Sequence, residues 1–456
     1  MAKQFIAVLG GGISGYGSAI LAKKQGFDVL LSDMGQISPL YRERLDKWGV
    51  EYEEGGHSVE RILTASEVIK SPGIPDKAPI VKALREKGVS VISEMEFACR
   101  YMGNAKTICI TGSNGKTTTT SLIYKIMRDS GANVALGGNI GESFAYSVAT
   151  GEYDWYVLEL SSFQLDGMFR FKADIGVLMN ITPDHLDRYD YSFEKYAQSK
   201  MRITQNQTPS DYFVYSADDE TILRQLEECE IRAKELPFMI DGYITSASGD
   251  AHPAEEAGRF VATLGEQSIT IDTARLKIKG KHNTYNAMAA VLATLAAGVA
   301  PEQIEKSLYD FAAIEHRLEP VGTKNDIEYI NDSKATNVDS AWYALESMTR
   351  PTVWIVGGTD KGASYAPLYD LAQKKVHTMI CMGVDNERLE KSFAGVVPNI
   401  ISCHSFEEAM QAVVRSARKG DAVLLSPACA SFDLFKSYIH RGNEFKRWIA
   451  ENILNK

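Results

Sequence analysis

The sequence lacks the long apolar runs of a membrane protein. It contains no stretch of about 18 consecutive apolar residues, the length at which a run becomes a candidate membrane helix. Its first residues, MAKQFIAVLGGG, also lack the basic segment and apolar core of a secretory signal. We therefore expect a cytoplasmic protein without membrane insertion.

Cysteine is scarce, and a positive charge excess is absent. Six cysteines are scattered over 456 residues and none forms a C-x-x-C pair, which argues against a zinc knuckle or a thioredoxin motif. Lys and Arg number 49 against 59 Asp and Glu, a net charge of -10. This balance argues against nonspecific nucleic-acid binding, which needs phosphate neutralisation. It leaves room for anionic small substrates, because a few local cations suffice for those.

The remaining composition is that of a soluble globular protein, with 45% hydrophobic and 24% charged residues. Its length corresponds to about three domains. Apolar runs of strand length alternate with helical periodicity, which predicts an α/β fold with mostly parallel sheets. We place domain boundaries near residues 94 and 300, giving domains 1–94, 95–300 and 301–456.

The expected strands are short apolar runs, and two helical stretches lie close to the domain boundaries. We predict helices over 94–101 and 282–297, the second of which ends at Gly298. The predicted strands cover residues 5–9, 29–31, 68–69, 107–111, 153–160, 174–180, 352–356, 378–382 and 422–425.

A glycine-rich loop, residues 10–15, follows the first strand directly and precedes a helix. It fits G-x-G-x-x-G, and Asp33 ends the next strand. Glycines allow a phosphate to approach the backbone, and a helix N-terminus attracts anions. The loop therefore predicts a dinucleotide or another diphosphate such as a UDP-sugar, with a tight turn that binds nothing as the alternative. A second loop, residues 71–74, contains Gly73 and has a simple turn as its alternative.

The strongest local signal is TGSNGKTT, residues 111–118, between a strand and a helix. Backbone N–H groups of such a loop cradle phosphates, Lys116 reaches the β/γ oxygens, and the Thr117 hydroxyl binds Mg²⁺. The stretch departs from the strict phosphate-loop pattern, because Ile110 occupies the place of the first glycine. The candidate nucleotide contacts are Gly112, Ser113, Asn114, Gly115, Lys116, Thr117 and Thr118.

Three further candidates follow the phosphate loop in the sequence. Glu159 ends an apolar strand, where such a fold needs a carboxylate for Mg²⁺; a solvent-facing glutamate is the alternative. His185 stands beside Asp184 after the next strand, and it is either a site residue or a structural histidine. Lys200 lies in a helical stretch and, taken alone, is an ordinary exposed lysine.

Polar loops follow the strands of the last domain. They cover residues 331–337, 357–362 and 426–433, all at carboxyl ends of strands, where open α/β sheets bind ligands. His316-Arg317 precedes them. Asn283 and Asn286 are three residues apart and share a helix face, although helix capping by Asn283 is a competing explanation.

Together these motifs resemble the Mur ligase family of peptidoglycan synthesis, over essentially the whole chain. The DNPR-type motif of the diaminopimelate-adding branch is absent, and NDSKATN, GGTDKG and LLSPACASFD resemble the branch that adds D-glutamate. Folylpolyglutamate synthetases share the architecture but tend to carry GKGS where this chain has GKTT. The motifs that carry the resemblance are TGSNGKTTT, LELSSFQL, NITPDHLD, the helical Lys200, KHNTYNA, EHR and NDSKATN.

The resemblance implies a Rossmann-like domain for UDP, a central P-loop ATPase and a Rossmann-like domain for the incoming amino acid. It implies ATP, two Mg²⁺ ions and a carbamylated Lys200 as cofactors, with UDP-N-acetylmuramoyl-L-alanine and D-glutamate as substrates of a monomer. One ion falls to Thr117 and Glu159, the other to His185 and Lys200. Catalytic roles fall to Lys116, His185, Lys200 and Lys334, the last near the reaction centre. Nucleotide contacts fall to Asn283, Asn286, Arg317 and Asp332. Substrate contacts fall to Ile13, Ser14, Asp33, Gly73, Asn139, Thr336, Lys361, Ser431, Phe432 and Tyr438.

Two other protein classes remain open at this point. An NAD-dependent oxidoreductase accounts for residues 10–15 but leaves the Gly-Lys-Thr loop without a role. A P-loop switch that binds nucleotide without ligation leaves the loops around Lys334 and Lys361 without one.

Overall fold

The computed structural model describes residues 4–184, 186–240, 243–245, 251–253, 258–312, 315–360 and 364–455. The chain divides into two compact units. The first unit combines Met1–Arg275 with Tyr285–Asp310, and the second combines Leu276–Thr284 with Phe311–Lys456. Within the described ranges, no helix has the length and apolar character needed to cross a bilayer.

The first unit opens with a five-stranded parallel sheet in the order β3-β2-β1-β4-β5. Strand β1 is apolar because it lies at the centre of the sheet and is covered on both faces. The strands are β1 (Phe5–Leu9), β2 (Asp28–Asp33), β3 (Glu51–Glu54), β4 (Glu67–Lys70) and β5 (Ser90–Ile92). The helices are α1 (Ile13–Lys24), α2 (Pro39–Lys47), α3 (Val59–Ile62), α4 (Pro79–Glu86) and α5 (Glu94–Ala98).

A second, six-stranded parallel sheet has the order β11-β10-β9-β6-β8-β7. Because β6 lies between β8 and β9, the strand order reverses at its carboxyl end, where ligands bind in such sheets. The strands are β6 (Lys106–Thr111), β7 (Val134–Gly138), β8 (Trp155–Glu159), β9 (Ile175–Leu178), β10 (Tyr212–Ser216) and β11 (Lys234–Phe238). The helices are α6 (Lys116–Asp129), α7 (Phe144–Thr150), α8 (Ser162–Asp166), α9 (Phe193–Met201) and α10 (Glu220–Glu228).

Two antiparallel hairpins and two helices follow in the chain. The hairpin strands are β12 (Tyr243–Thr245), β13 (Ala251–Pro253), β14 (Arg259–Leu264) and β15 (Gln267–Asp272). The helices are α11 (Lys281–Ala296), whose first four residues belong to the second unit, and α12 (Pro301–Asp310).

The second unit contains a mixed sheet in the order β16-β17-β21-β18-β19-β20, in which only the β16–β17 pair is antiparallel. The strands are β16 (Glu319–Lys324), β17 (Ile327–Asn331), β18 (Thr352–Val356), β19 (Val376–Met382), β20 (Asn399–Cys403) and β21 (Ala422–Leu425). The helices are α13 (Val338–Ser347), α14 (Tyr369–Lys375), α15 (Glu387–Phe393), α16 (Phe406–Ser416) and α17 (Tyr438–Ile449).

The predicted α/β class with mostly parallel sheets is confirmed, and each predicted strand lies on an observed one. The hairpin β14–β15 and the antiparallel strand β16 were outside the prediction. The two units describe how compactly parts of the chain pack and do not test where domains begin and end. The domain boundaries near residues 94 and 300 therefore stay a prediction.

A buried carboxyl group joins helix α5 to the start of helix α7. Glu94, the first residue of α5, is 1% exposed, and its Oε1 accepts hydrogen bonds from Ser143 Oγ (2.5 Å) and the Ala145 N–H (3.0 Å). Ser143 also packs so closely on α1 that a Cβ at Gly17 would lie 1.8 Å from its Oγ. Burial raises the pKa of Glu94 to about 7.

We predict that Glu94 makes the stability of the fold depend on pH. Because folding raises the pKa of this carboxyl group, its stabilisation is complete below the unfolded pKa of about 4.3 and is lost as pH rises toward 7. Glu94→Gln should make the fall of unfolding free energy over that window shallower by up to about 1.4 kcal/mol per pH unit. Urea unfolding of wild type, Glu94→Gln and the exposed control Glu86→Gln measures this; equal slopes in all three would refute it.

Candidate active site

The phosphate loop lies at the reversal point of the second sheet, between β6 and α6. Gly112 and Gly115 have φ of +148° and +81°, a region that favours glycine. A Cβ at Gly115 would lie 2.4 Å from the Asn286 Oδ1 on α11, so a side chain has no room there. Asn286 also accepts a hydrogen bond from Thr119 Oγ1 at 3.2 Å. The loop thus places the N-terminus of α6, with the buried Thr117 and Thr118, at the carboxyl end of the inner strand β6.

The segment after β9 holds this loop in place. Backbone N–H groups of Ser113 and Asn114 donate to the backbone oxygen and to Oδ1 of Asn180, at 2.9 and 2.8 Å. Ser113 Oγ donates to the Thr182 carbonyl at 2.8 Å. Sequence reasoning singled out this segment for His185 and missed Asn180 and Thr182, although both lie in the same NITPDHLD motif.

Two lysines converge on one carbonyl oxygen of the loop. Lys116 Nζ donates to the carbonyls of Gly112 (2.7 Å) and Ser113 (2.8 Å), and Lys200 Nζ donates to Gly112 O at 2.8 Å. Lys200 is 2% exposed, so the alternative of an ordinary exposed lysine is wrong. Burial, and then the charge of Lys116, hold the pKa of Lys200 well below its usual value, against the opposing effect of Asp184.

A buried carboxylate ends the neighbouring strand β8. Glu159 is 1% exposed, so it does not face solvent. Its Oε1 accepts from Asn139 Nδ2 at 2.8 Å, whereas its buried Oε2 has no hydrogen-bond partner among the described residues. Such an oxygen fits a hard cation, which takes oxygen ligands. Thr117, with a hydroxyl of the ligand type expected here, is 6% exposed on α6.

Two predicted site residues, His185 and Lys361, lie outside the described residues. The residue before each of them is described. Asp184 precedes His185 and acts electrostatically on Lys200. Asp360 precedes Lys361, and its Oδ2 accepts a hydrogen bond from Arg388 Nη1 at 2.6 Å.

The glycine-rich loop of the first sheet is shaped by close approach and by Asp33. A Cβ at Gly15 would lie 1.7 Å from the Gly10 carbonyl oxygen, whereas one at Gly12 would meet nothing within 4 Å. Asp33 accepts from the N–H groups of Gly11 (2.5 Å) and Gly35 (2.6 Å). The open space at Gly12, directly before Ile13 and Ser14 at the start of α1, suits an anionic group.

The loop around Gly73 is linked to the segment that follows His185. Arg188 donates from Nη2 to the Pro72 carbonyl at 3.3 Å and from Nη1 to the Gly73 carbonyl at 3.5 Å. Its guanidinium lies over the Phe163 ring, 4.3 Å from the centroid. Arg188 was missed from sequence, because no local pattern marks an arginine that bridges segments more than a hundred residues apart.

Within the second unit, three polar loops follow the adjacent strands β17, β18 and β21. Asp332 Oδ2 accepts from Ser426 Oγ at 2.8 Å, and burial raises the pKa of Asp332 to about 7. Lys334 Nζ lies 5.4 Å from the ring centroid of Tyr438, the first residue of α17. The half-buried Thr336 donates its N–H to the Lys334 carbonyl at 2.9 Å.

The loops after β18 and β21 pair through their backbones. Thr359 and Ala430 exchange N–H···O hydrogen bonds of 2.8 and 3.1 Å. Next to this pair, Ser431 is 2% exposed and Phe432 is 74% exposed. The structure therefore brings Ser431 into the loop cluster and directs Phe432 toward solvent.

The predicted nucleotide contacts outside the phosphate loop belong to different units. Asn286 lies with the phosphate loop in the first unit, and Asn283, Arg317 and Asp332 lie in the second. Asn283 is the third residue of α11, and its Nδ2 donates to the Lys279 carbonyl at 2.8 Å. The capping explanation for Asn283 is therefore wrong, because an N-cap side chain accepts a hydrogen bond and precedes the helix.

The fold and site define a P-loop nucleotide-binding protein with an α/β domain on each side in the sequence. Three domain families match it: Mur ligase MurD-like N-terminal domain over residues 4–93, Mur ligase middle domain over 110–294, and Mur ligase glutamate ligase domain over 316–429. The chain belongs to the Mur ligase family.

Sequence relatives match over almost the full length. The UDP-N-acetylmuramoylalanine--D-glutamate ligase of Christiangramia forsetii is 50% identical over 441 residues, which cover 97% of this chain and 98% of that protein. The enzyme of the same name from Bacteroides fragilis is 49% identical over 98% of this chain and 99% of its own.

Solved structures with low sequence identity share the fold. A pseudomurein peptide ligase type C from Methanothermus fervidus has a TM-score of 0.62 and 20% identity, over 98% of this chain and 100% of that one. UDP-N-acetylmuramate-alanine ligase MurC from Thermotoga maritima has a TM-score of 0.61 and 17% identity, over 99% and 100%.

We predict that Gly15→Ala destabilises the first domain and Gly12→Ala does so much less. The new methyl group at Gly15 would overlap the Gly10 carbonyl and force α1 away from β1, at a cost of about 1–3 kcal/mol. At Gly12 the backbone has φ of −75° and space is open. Urea unfolding of the two variants measures the difference; equal stabilities would mean that the tight approach at Gly15 is not what shapes the loop.

Proposed function

We propose that the chain is an ATP-dependent ligase that joins D-glutamate to UDP-N-acetylmuramoyl-L-alanine in peptidoglycan precursor synthesis, releasing ADP and phosphate. Relatives of that name at about half identity over nearly the whole chain support this proposal. The structural observation that carries it is the convergence of Lys116 and Lys200 on the Gly112 carbonyl, with the buried Glu159 at the end of the neighbouring strand β8. Cations and a carboxylate at one sheet edge suit phosphoryl transfer.

ATP binds, in this proposal, at the phosphate loop. Its phosphates lie against the backbone of residues 112–118, where the N-terminus of α6 favours negative charge. Lys116 exchanges its loop carbonyls for the transferred phosphoryl oxygens, and Arg317 assists. Asn283 and Asn286 face the adenine, and Asp332 faces the ribose.

The residues present fit Mg²⁺, which neutralises phosphate charge when bound. Thr117 and Glu159 would hold one ion, since Glu159 Oε2 is a buried oxygen without a described partner. His185 and a carbamylated Lys200 would hold the second. A lowered pKa favours carbamylation, because the neutral amine of Lys200, and not its ammonium form, attacks CO₂.

The reaction must activate a carboxylate, whose oxide is a poor leaving group. The γ-phosphoryl group passes to the carboxylate of the first substrate and gives an acyl phosphate. The amine of D-glutamate attacks the acyl carbon, phosphate leaves, and the amine loses a proton as the amide forms. The residues of the site orient these groups and exclude water from the acyl phosphate.

The two substrates contact different domains in this proposal. The UDP part of the first substrate lies at Ile13, Ser14 and Asp33, with Gly73 and Asn139 along the rest of the molecule. Domains 1–94, 95–300 and 301–456 hold UDP, ATP and the amino acid. Lys334 lies near the reaction centre, and Thr336, Lys361 and Ser431 bind the carboxylates of the amino acid. Tyr438 closes the pocket, and Phe432 adjoins Ser431 in the third loop. We place the enzyme in the cytoplasm as a monomer.

Phosphate release tests the function directly. With ATP, Mg²⁺ and UDP-N-acetylmuramoyl-L-alanine, we expect turnover only when D-glutamate is present, with L-Glu, L-Ala, L-Lys and meso-diaminopimelate inactive. L-Glutamate should fail because inversion at the α-carbon exchanges the amine and a carboxylate, which leaves a buried donor unpaired. Preference for another amino acid would move the chain to another branch, and turnover without any would identify a nucleotide switch.

The variants Lys116→Ala and Lys200→Ala should lose activity for different reasons. Lys116→Ala removes a cation from the migrating phosphoryl group and should lower turnover by on the order of 10²–10³. Lys200→Ala removes a metal-facing carbamate, so small carboxylic acids such as acetate should restore part of its activity and none of that of Lys116→Ala. Circular dichroism checks that both variants fold. Full activity of unassisted Lys200→Ala, or equal rescue of both variants, would contradict the carbamate.

A further inference from the structure

A buried arginine that the proposed mechanism does not use lies beneath the loops of the second unit. Arg441, in the first turn of α17, is 1% exposed. Its Nε donates to Ser333 Oγ at 3.0 Å, and its Nη2 donates to the Ser333 carbonyl at 2.9 Å. Ser333 Oγ in turn donates to the Tyr438 carbonyl at 2.8 Å. One side of the guanidinium therefore fixes the loop after β17 against the start of α17.

The other side of the same guanidinium reaches the two neighbouring loops. The Cys429 carbonyl, in the loop after β21, accepts from Nη1 at 3.4 Å and from Nη2 at 3.3 Å. The Gly357 carbonyl, directly after β18, accepts from Nη1 at 3.5 Å. A planar group with five donors in fixed directions suits this task, which a lysine ammonium cannot perform from one position.

The charge of Arg441 is not matched by a direct carboxylate contact. Every acceptor that the structure describes for it is a neutral hydroxyl or carbonyl, and Asp433 and Asp332 act on it only electrostatically. Burial lowers the pKa of Arg441 to about 10, so the group stays charged at neutral pH. A buried cation without a paired carboxylate is costly, which indicates a role beyond packing.

We propose that Arg441 is a positioning residue for the amino-acid substrate. It holds the three loops that follow β17, β18 and β21 in one arrangement and supplies positive charge beneath a pocket for a dicarboxylate. It does not touch the substrate. The inference rests on the proposed function, because it assigns to these loops the binding of an amino acid with two carboxylates.

Steady-state kinetics of Arg441→Lys test this. The substitution keeps a basic side chain and loses the fork of donors, so the KM for D-glutamate should rise by about tenfold, equivalent to about 1.4 kcal/mol. The KM for UDP-N-acetylmuramoyl-L-alanine should change less than about twofold, since its proposed contacts lie in domains 1–94 and 95–300. The KM for ATP should rise less than that for D-glutamate, since most of its proposed contacts lie outside the loops that Arg441 holds. Arg447→Lys is the matched control on the same helix, because Arg447 is 62% exposed and pairs with Glu444 on the surface.

The variant Ser333→Ala also tests the positioning role of Arg441. It removes the oxygen that accepts from Arg441 Nε, and it should raise the KM for D-glutamate in the same direction. In the double variant with Arg441→Lys the two effects should be less than additive, because both break one contact. Should Arg441→Lys fail to fold, the Ser333→Ala measurement decides alone.

The outcomes separate the two proposals. If wild type does not ligate D-glutamate, the proposed function fails and this inference fails with it. If wild type ligates D-glutamate while folded Arg441→Lys keeps its KM for D-glutamate, or raises all three KM values equally, only the positioning role is overturned.

Discussion

The carbonyl oxygen of Gly112 is the point on which the first unit's site depends, because the side-chain nitrogens of two lysines donate to it. Lys116 and Lys200 come from α6 and α9, and like charges this close destabilise each other in a buried setting. Two events relieve that conflict: an anion that draws Lys116 away from the loop, or loss of charge at Lys200. The proposed function supplies both, since ATP brings an anion to Lys116 and carbamylation removes the ammonium charge of Lys200.

Asn139 links the first substrate to the proposed metal site. Asn139 donates through its side chain to Glu159 Oε1 and through its backbone N–H to the Glu159 carbonyl. One carboxylate oxygen is therefore fixed by a residue proposed to contact the first substrate, and the other is left for a cation. A substrate that moves Asn139 would reorient Glu159, which offers a physical route for coupling substrate binding to metal binding.

Local sequence patterns predicted the central strands and the phosphate loop. They did not predict contacts between residues that are far apart in the chain. The central strands and the phosphate loop were predictable because buried parallel strands are continuous apolar runs and the loop is a contiguous motif. Asn180, Arg188 and Arg441 were not, because each acts on backbone groups far away in the chain and no spacing rule marks them. The burial of Lys200 was also hidden, since a lysine in a helix is exposed far more often than not.

In the second unit, a carboxyl group and a guanidinium group are both buried at the loop that follows β17. Asp332 precedes Ser333 in the chain, Arg441 donates to Ser333, and burial pushes the pKa values of both groups in the directions that disfavour charge. Neither group has its full countercharge within hydrogen-bonding distance among the described contacts, so the charge of each is only partly neutralised within the unit. A nucleotide donor group near Asp332 and carboxylates above Arg441 would both be stabilised there. Binding of such ligands would therefore stabilise the folded arrangement of these loops. A tighter ligand would stabilise it more.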